Sequence, residues 1–331
     1  MSGVSLVEIR AEDGEQRLDR WLRRRFPGLT QGRIEKLLRK GEIRVDGKRA
    51  DGKTRVAVGQ TLRLPPNIEA IAAAVARPGP APVSEQDARF VASLVIHQDD
   101  DVLVLDKPPG LAVQGGTGQG RNLDAMLGAL AGRDGERPRL VHRLDLDTSG
   151  VLVLGRNARS TALLAEAFRG RSVRKTYWAL VAGVPDPARG RIDMALAKVG
   201  GPAGERVARD DEEGKRAVTL YATVDHALDR CAWLAMRPVT GRTHQLRVHT
   251  AVALGTPIVG DLKYGGAKAI LATDAIARQL HLHARSIDLP HPSGGRLRVA
   301  APLPGHMRTT WKFFGFDLDI DTDPLFDGRG G

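Results

Sequence analysis

Two short runs of this 331-residue chain concentrate the side chains that could do chemistry. The first is Leu140–Gly150, LVHRLDLDTSG. It places His142, Arg143, Asp145, Asp147, Thr148 and Ser149 within eight positions, directly ahead of an apolar stretch. Carboxylates set among cations and hydroxyls are the material of acid–base or nucleophilic work. An ordinary Asp-Thr-Ser-Gly turn with solvated charges explains the same composition, and by composition alone that plain reading is slightly favoured. The second run is Gly241–His249, GRTHQLRVH. If Thr243 caps a helix running to Leu254, then Thr243, Arg247 and Ala251 share one face, with His244 and Val248 beside it. Arg242 at the helix start is badly placed for the helix dipole and well placed to meet a phosphate. The plain alternative is an amphipathic surface helix with basic decoration. His244 with His249, and His281 with His283, invite a metal reading, but no third ligand is indicated, so a metal site is not expected. Gly115–Gly120 is glycine-rich but lacks the GK[ST] ending of a phosphate loop, and reads as a flexible loop. The GxSxG nucleophile elbow is missing.

These runs need elements to hold them. Gln16–Arg25 has Leu18, Trp21 and Leu22, followed by Phe26, at helical spacing, with arginines opposite. Thr30 is placed to cap a second helix, Gln31–Lys40, with Ile34, Leu37 and Leu38 inward and Gly41 as its stop. Glu42–Val45, the turn Asp46–Gly47 and Gln60–Leu64 suggest short strands. Residues 67–89, within a Pro/Gly/Ala-rich stretch, read as a linker that resists regular structure. Beyond it, Val102–Leu105, Val151–Leu154, Lys175–Val181, Val218–Val224, Cys231–Met236, Leu280–Leu289 and Leu297–Ala300 read as strands. Ala158–Arg169 reads as a helix with Leu163, Leu164 and Phe168 on one side. Strands dominate without βαβ alternation, so the class is α+β. The division expected is 1–66, a small module of two basic helices and short strands; 67–89, the linker; 90–315, the main domain; and 316–331, a mobile or loosely docked tail carrying Asp317, Asp319, Asp321, Asp323 and Asp327.

Bulk properties narrow the partners. The net charge is +11, and residues 1–66 hold 16 Lys/Arg against 9 Asp/Glu, so +7 sits in the first fifth. Concentrated basic charge favours RNA or DNA. Arg23, Arg24, Arg33, Lys36, Arg39 and Lys40 on the two helices are the expected phosphate contacts, which position a strand without reading bases. One cysteine excludes an intramolecular disulfide and Cys-rich zinc sites. No signal-like segment and no run near the roughly 20 apolar residues of a membrane helix is visible. A soluble, cytoplasmic monomer without membrane contact is expected.

The motifs then join. DKPPG (106–110), HRLDLDTSG (142–150), KTYWALVAG (175–183), GRTHQLRVH (241–249) and LGTPIVGDLKYG (254–265) follow one another in an order and spacing that resemble the RluA family of pseudouridine synthases across roughly residues 90–303. The front, RLDRWLRRRF followed by QGRIEKLLRKGEIRVDGKR, resembles the alpha-L RNA-binding fold of the fourth small-subunit ribosomal protein. That module with VQGGTG (113–118) is similar to family members that act on large-subunit ribosomal RNA, which typically carry His where this chain has Gln114. The resemblance implies a bent, mainly antiparallel sheet with the active site in a cleft across it. It implies Asp145 as the essential carboxylate, Tyr177 packed on the target uracil, Arg247 paired with Asp145, and Arg143 entering the RNA stack in place of the departed base. His142 and Arg242 fall among the expected RNA contacts.

The implied chemistry suits the residues. The bond from ribose C1′ to uracil N1 breaks and is remade to C5, without redox change or phosphate transfer, so no metal or organic cofactor is expected. A single carboxylate can stabilise C1′, attack it, or take the 2′ proton. Burial would raise the pKa of Asp145 and Arg247 would oppose that. Flipping the base out costs a few kcal/mol; stacking on tyrosine returns about 1–3 kcal/mol, and an inserted guanidinium offsets more. Two other classes compete. A non-catalytic RNA-binding or assembly factor fits the basic front equally, but need not keep Asp145, Tyr177 and Arg247. A metal-dependent nuclease predicts a carboxylate cluster that is not evident. Transfer RNA is the alternative substrate.

Overall fold

In the computed structural model, residues 5–73, 83–115, 121–132, 135–170, 172–200 and 206–322 are described, and the chain divides into two units, residues 1–82 and 83–331. The first unit contains strands β1 (Ser5–Glu8) and β2 (Gln16–Arg17), helices α1 (Leu18–Arg25) and α2 (Gln31–Lys40), strands β3 (Arg44–Val45), β4 (Lys48–Arg49), β5 (Arg55–Val56) and β6 (Thr61–Leu64), and helix α3 (Ile68–Ala73). The expected helices form for the expected reasons. Leu18, Trp21 and Leu22 of α1 and Ile34, Leu37 and Leu38 of α2 are buried in one core with Ile43 and Leu62. The Thr30 side chain accepts from Arg33 N–H, and Gly41 closes α2 at φ 70°. Helix α1 starts two residues later than its apolar spacing suggested, because Gln16 and Arg17 pair with Val56 and Arg55.

The linker expectation needs correction at both ends. Helix α3 begins at Ile68 because Ile68 and Ala72 have an apolar core to enter. Helix α4 (Glu85–Ser93) is capped by Ser84, which accepts from Asp87 N–H at 3.1 Å. Residues 74–82 of the expected linker, Gly116–Gly120 of the expected loop, and Asp323 and Asp327 of the tail lie outside the described residues.

The second unit continues with β7 (Val95–Gln98), β8 (Val102–Lys107), α5 (Leu123–Met126), β9 (Arg139–Leu140), β10 (Ser149–Gly155), α6 (Ala158–Arg169), β11 (Arg174–Ala182), β12 (Arg189–Val199), β13 (Arg206–Arg209), β14 (Lys215–Ala227), β15 (Cys231–Pro238), α7 (Gln245–Val248), β16 (Leu282–Pro290), β17 (Arg296–Ala300) and α8 (Gly305–Phe314). Eleven strands form one sheet, ordered β13-β12-β14-β15-β11-β16-β10-β8-β7, with β17 on β16 and β9 on β10. All its pairs are antiparallel except β10 with β16. The unit is thus α+β with an antiparallel-dominated sheet.

Alternation along β10 and β11 sends side chains to two separate cores. Leu152 and Leu154 face one side with Leu123, Met126 and Leu144, while Val151 and Val153 face the other with Leu164 of α6. Ala179 and Val181 share the first side with Leu246 and Val248 of α7, and Trp178 and Leu180 share the second with Met307 and Trp311 of α8. Tyr177 packs against both clusters of the first side, at the middle of the sheet.

Three further expectations change. Leu163 is 40% exposed, so α6 buries Leu164 without it. The tail begins docked: Phe316 enters the Trp178–Trp233–Trp311 core, and Trp178 Nε1–H donates to the buried Thr322 hydroxyl at 2.9 Å. Its acidic alternation hid two core contacts. The 243–254 helix is also shorter and irregular. It starts at Gln245, passes into a π-turn at His249–Ala253, and has His244, not Thr243, at its head in the left-handed region at φ 52°.

Candidate active site

Asp145 lies on the connection between β9 and β10, and five ties fix that connection. Lys107, fully buried at the end of β8, donates from Nζ to the carbonyls of Pro108, Leu111 and Leu146, each at 2.9 Å. Gly110 N–H donates to Leu146 O at 3.0 Å, and Thr148 N–H to Asp145 O at 3.2 Å. Leu144 is a core residue between the polar neighbours. His142 accepts from Val153 N–H at Nε2, 2.8 Å away, and its ring stacks on Phe168 of α6 at 4.5 Å and 20°. Burial pushes the Lys107 ammonium down to about 8, against the charges of Asp147 and Asp145. Burial, helped by the nearby Lys175 charge, pushes His142 down to about 3. A neutral, stacked His142 is therefore a brace for the loop rather than a cation for RNA.

The strand that follows needs its glycine. Gly150 sits at φ 104°, and a Cβ there would lie 2.2 Å from Ala284 O on β16. The close parallel approach of β10 to β16 thus excludes every other residue, and next to it Ser149 Oγ and His283 Nδ1 are 2.9 Å apart. His283 is buried, as is His281, which meets Gln279 O and Thr310 Oγ1 at 2.8 and 2.9 Å. These histidines bind protein groups, and among the described residues no three His, Cys, Asp or Glu side chains are grouped to hold a metal.

Arg247 is the largest correction. It was expected to pair with Asp145. Its Nε and Nη2 instead donate to the two oxygens of Asp261 at 2.8 and 2.7 Å, with side-chain exposures of only 9% and 1%. Burial opposes charge on Arg247, but the Asp261 bonds outweigh it and its pKa is raised, with a smaller contribution from Asp145 nearby. The two-pronged fit of guanidinium to carboxylate explains why Asp261 wins: it offers both oxygens in plane, whereas Asp145 stands half-exposed in the cleft. The signal for Asp261 was present in Gly260-Asp261-Leu262-Lys263-Tyr264. Gly260 has φ 82° and its missing Cβ clears Gln279 O, which would be 2.0 Å away.

Other residues missed in the sequence complete the frame. The Tyr264 ring lies 5.1 Å from the Arg247 guanidinium, and its hydroxyl is 2.6 Å from His244 Nδ1. Gln245 donates to Val218 O and Thr219 Oγ1, and accepts from Thr240 Oγ1 and Arg242 N–H. That side chain anchors the Thr240–Arg242 turn.

Asp145, Tyr177 and Arg247 all line one cleft of about 580 Å³, with His142, Arg143, Thr148, Arg169, Lys175, Arg242 and His244 among its other walls. Arg143 is exposed there, and Arg242 Nε–H donates to Arg216 O at 3.2 Å. The phenol of Tyr177 is pushed above its ordinary value by burial and then by the Asp145 charge, so it stays protonated at neutral pH. In the first unit Arg23, Arg24, Lys36, Arg39 and Lys40 are exposed and Arg33 half-buried. Arg24 pairs with Asp13 at 2.6 Å and Lys40 with Glu42 at 3.6 Å, which mutes part of that face.

The family model for RNA pseudouridylate synthase matches residues 101–252, and the S4 domain model matches residues 16–62. Ribosomal large subunit pseudouridine synthase C of Escherichia coli is 35% identical over 91% of this chain and 93% of its own length. This chain belongs to the RNA pseudouridylate synthases. Another synthase of the group, the mitochondrial RNA pseudouridine synthase 4 of Arabidopsis thaliana, is 34% identical over 88% of this chain and 78% of its own length. Among solved pseudouridylate synthases, human RNA pseudouridylate synthase domain containing 4 superposes with TM-score 0.58 at 30% identity, covering 70% of this chain and 97% of that one. The chain is therefore a pseudouridine synthase with an N-terminal S4 RNA-binding domain. No described helix is long and apolar enough to cross a membrane.

Proposed function

We propose that this synthase isomerises specific uridines of large-subunit ribosomal RNA, with Asp145 as its catalytic carboxylate and without metal or organic cofactor. The observation that carries the site assignment is the meeting of Asp145, Tyr177 and Arg247 on one cation-walled cleft. A flipped uridine brings its uracil against the protonated Tyr177 ring and its ribose C1′ to Asp145. When the C1′–N1 bond breaks, its electron pair leaves with the base and C1′ becomes electron-poor, which the carboxylate answers. The base rotates, C5 attacks C1′, and the proton lost from C5 is balanced by one gained at N1. Arg247, held by Asp261, supplies a fixed positive charge behind Asp145 rather than a direct partner. Exposed Arg143 at the cleft fills the stack that the flipped base vacates, and Arg242 meets the strand. Arg23, Arg24, Arg33, Lys36, Arg39 and Lys40 hold the RNA by phosphate contacts, so binding weakens steeply with salt. The ribosomal choice is supported by the bacterial relatives, ribosomal large subunit pseudouridine synthases by name, whose match covers nearly all of this chain.

Carbodiimide mapping with primer extension on ribosomal RNA tests this. Specific stops should vanish on deletion of the gene, return with wild type, and stay absent with Asp145→Asn. An unchanged ribosomal map in every strain rejects the substrate and points to transfer RNA. Stops restored by Asp145→Asn reject the carboxylate and favour a non-catalytic reading of this residue set.

A further inference from the structure

The cleft carries more positive charge than these roles use, and its cations differ in what they already hold. Arg247 is committed to Asp261, Arg242 donates to a backbone carbonyl, and Arg143 is exposed. Outside the cleft lining, buried Lys107 places its donors on three carbonyls. Lys175 is unlike all of these. It is half-buried on β11, two residues before Tyr177, so both side chains leave the same face of the strand. Both line the cleft. The Lys175 Nζ lies 3.9 Å from where a Cβ would stand on Gly241, and its charge acts on the neighbouring His142 ring. Among the described residues, no carboxylate, carbonyl or hydroxyl pairs with that ammonium. Burial alone shifts its pKa, downward, with no anion to oppose it.

A half-desolvated ammonium without a partner is an unfavourable arrangement in the free protein. It becomes favourable when negative charge develops on an acceptor that the substrate holds against it. We propose that Lys175 donates a hydrogen bond to a carbonyl oxygen of the target uracil and stabilises the negative charge that the base takes up as it leaves C1′. The electron pair released by the C1′–N1 bond spreads from N1 onto O2 and O4, so charge develops at the ring's edge. Two residues of strand separate Lys175 and Tyr177 by roughly 6–7 Å, and a four-carbon arm spans the distance to the edge of a ring stacked on Tyr177. Lysine keeps its proton throughout. C1′–N1 is broken, C1′–C5 is made, and one proton is exchanged between C5 and N1. A phosphodiester oxygen is the competing charged acceptor in the substrate, and a contact with it would register in the salt dependence of binding. A donor aimed at developing charge in a partly dry site contributes about 100-fold to 1000-fold in rate.

This inference rests on the assignment of Asp145 and Tyr177, and its experiment separates the two. Full-length wild type, Lys175→Gln, Lys175→Arg and Asp145→Asn are compared on a ribosomal RNA fragment that wild type modifies. Single-turnover rate constants are taken at saturating enzyme, dissociation constants at several salt concentrations, and melting temperatures alongside. Lys175→Gln should lose about 100-fold or more in the single-turnover rate while its Kd stays within twofold and its salt slope is unchanged. Lys175→Arg should recover at least tenfold of that loss, because the charge is retained. A Lys175→Gln rate within threefold of wild type overturns the inference. So does a loss confined to Kd with a salt slope smaller by about one, which marks a phosphate contact. If Lys175→Gln is too unstable to assay, Lys175→Arg decides alone: a folded arginine variant as slow as Asp145→Asn overturns the role, and one within tenfold of wild type supports it. Full activity in Asp145→Asn would instead sink the underlying site assignment.

Discussion

Replacing Asp261 with Asn should weaken the second unit and slow the reaction through one broken pair. Arg247 keeps its positive charge after the change, but the anion beside it is gone. The native pair has two bonds of 2.8 and 2.7 Å, and relative exposures are 8% for Arg247 and 1% for Asp261. Removing one member of a buried pair leaves a desolvated charge and destabilises by about 3–5 kcal/mol. Two features favour the lower end: Asn retains one carbonyl acceptor, and the Tyr264 ring at 5.1 Å remains a cation–π partner. At about 2–4 °C per kcal/mol for a unit of this size, a loss near 3 kcal/mol lowers Tm by about 6–12 °C. Calorimetry of the full chain reads this directly. The Asp261→Leu/Arg247→Met double variant removes both charges and should lie within about 1.5 kcal/mol of wild type, since an apolar pair avoids the desolvation penalty. Single-turnover pseudouridine formation by Asp261→Asn should fall at least tenfold as Arg247 loses its fixed position. A Tm within 2 °C of wild type for Asp261→Asn, or a double variant as unstable as the single, would refute the claim that this pair holds the site.

Three further outcomes follow from the same geometry. Lys107→Met keeps the side chain's length but removes the donor shared by three carbonyls; the single-turnover rate should drop at least tenfold with RNA affinity within twofold, and an unchanged rate would show that the Asp145 loop holds its shape without the lysine. Gly150→Ala sets a Cβ 2.2 Å from Ala284 O at a φ of 104°, so a loss above about 3 kcal/mol is expected; urea unfolding with a midpoint near wild type would contradict the close strand approach. Acid should destabilise the second unit through His281 and His283, which burial pushes down to about 4 and about 3. Their folded values lie below the unfolded value near 6.5, so their contribution is complete above about pH 6.5 and declines as pH falls toward 4, by about 2 kcal/mol per ring at pH 5. Urea midpoints at pH 7 and pH 5 measure it, and His283→Asn should shrink the difference by one ring's share, about 2 kcal/mol; equal midpoints in wild type would show that both rings titrate normally.

Local pattern was enough for the elements whose own residues carry the signal. Helix α2 was legible from end to end because its cap, apolar stripe and terminating glycine are all contiguous, and α6 was legible in extent for the same kind of reason. Strand β12 was passed over although Ile192, Met194 and Leu196 alternate into the core, because Ala195 and Ala197 at the outward positions blur the apolar–polar period. Helix α8 has no side-chain cap and is rich in bulky residues; its packing on the Trp178–Trp233 core sustains it. The linker expectation failed where Ile68 and Ala72 find a core that composition alone does not display.

The same division holds at the site. Sequence by itself determined which residue types are available and in what order: Asp145 in a polar turn, Tyr177 on a strand, Arg247 in a basic segment, and a positively charged front. It determined the family as well, because those motifs keep their spacing over most of the chain. Tertiary structure decided which groups meet. It gave Arg247 to Asp261, 14 residues away, turned His142 from a surface cation into a stacked brace, and set Lys107 beneath a loop 39 residues downstream. Pairing of buried charges is settled by desolvation and by which carboxylate presents both oxygens in plane, and these depend on neighbours that only the folded sheet brings together.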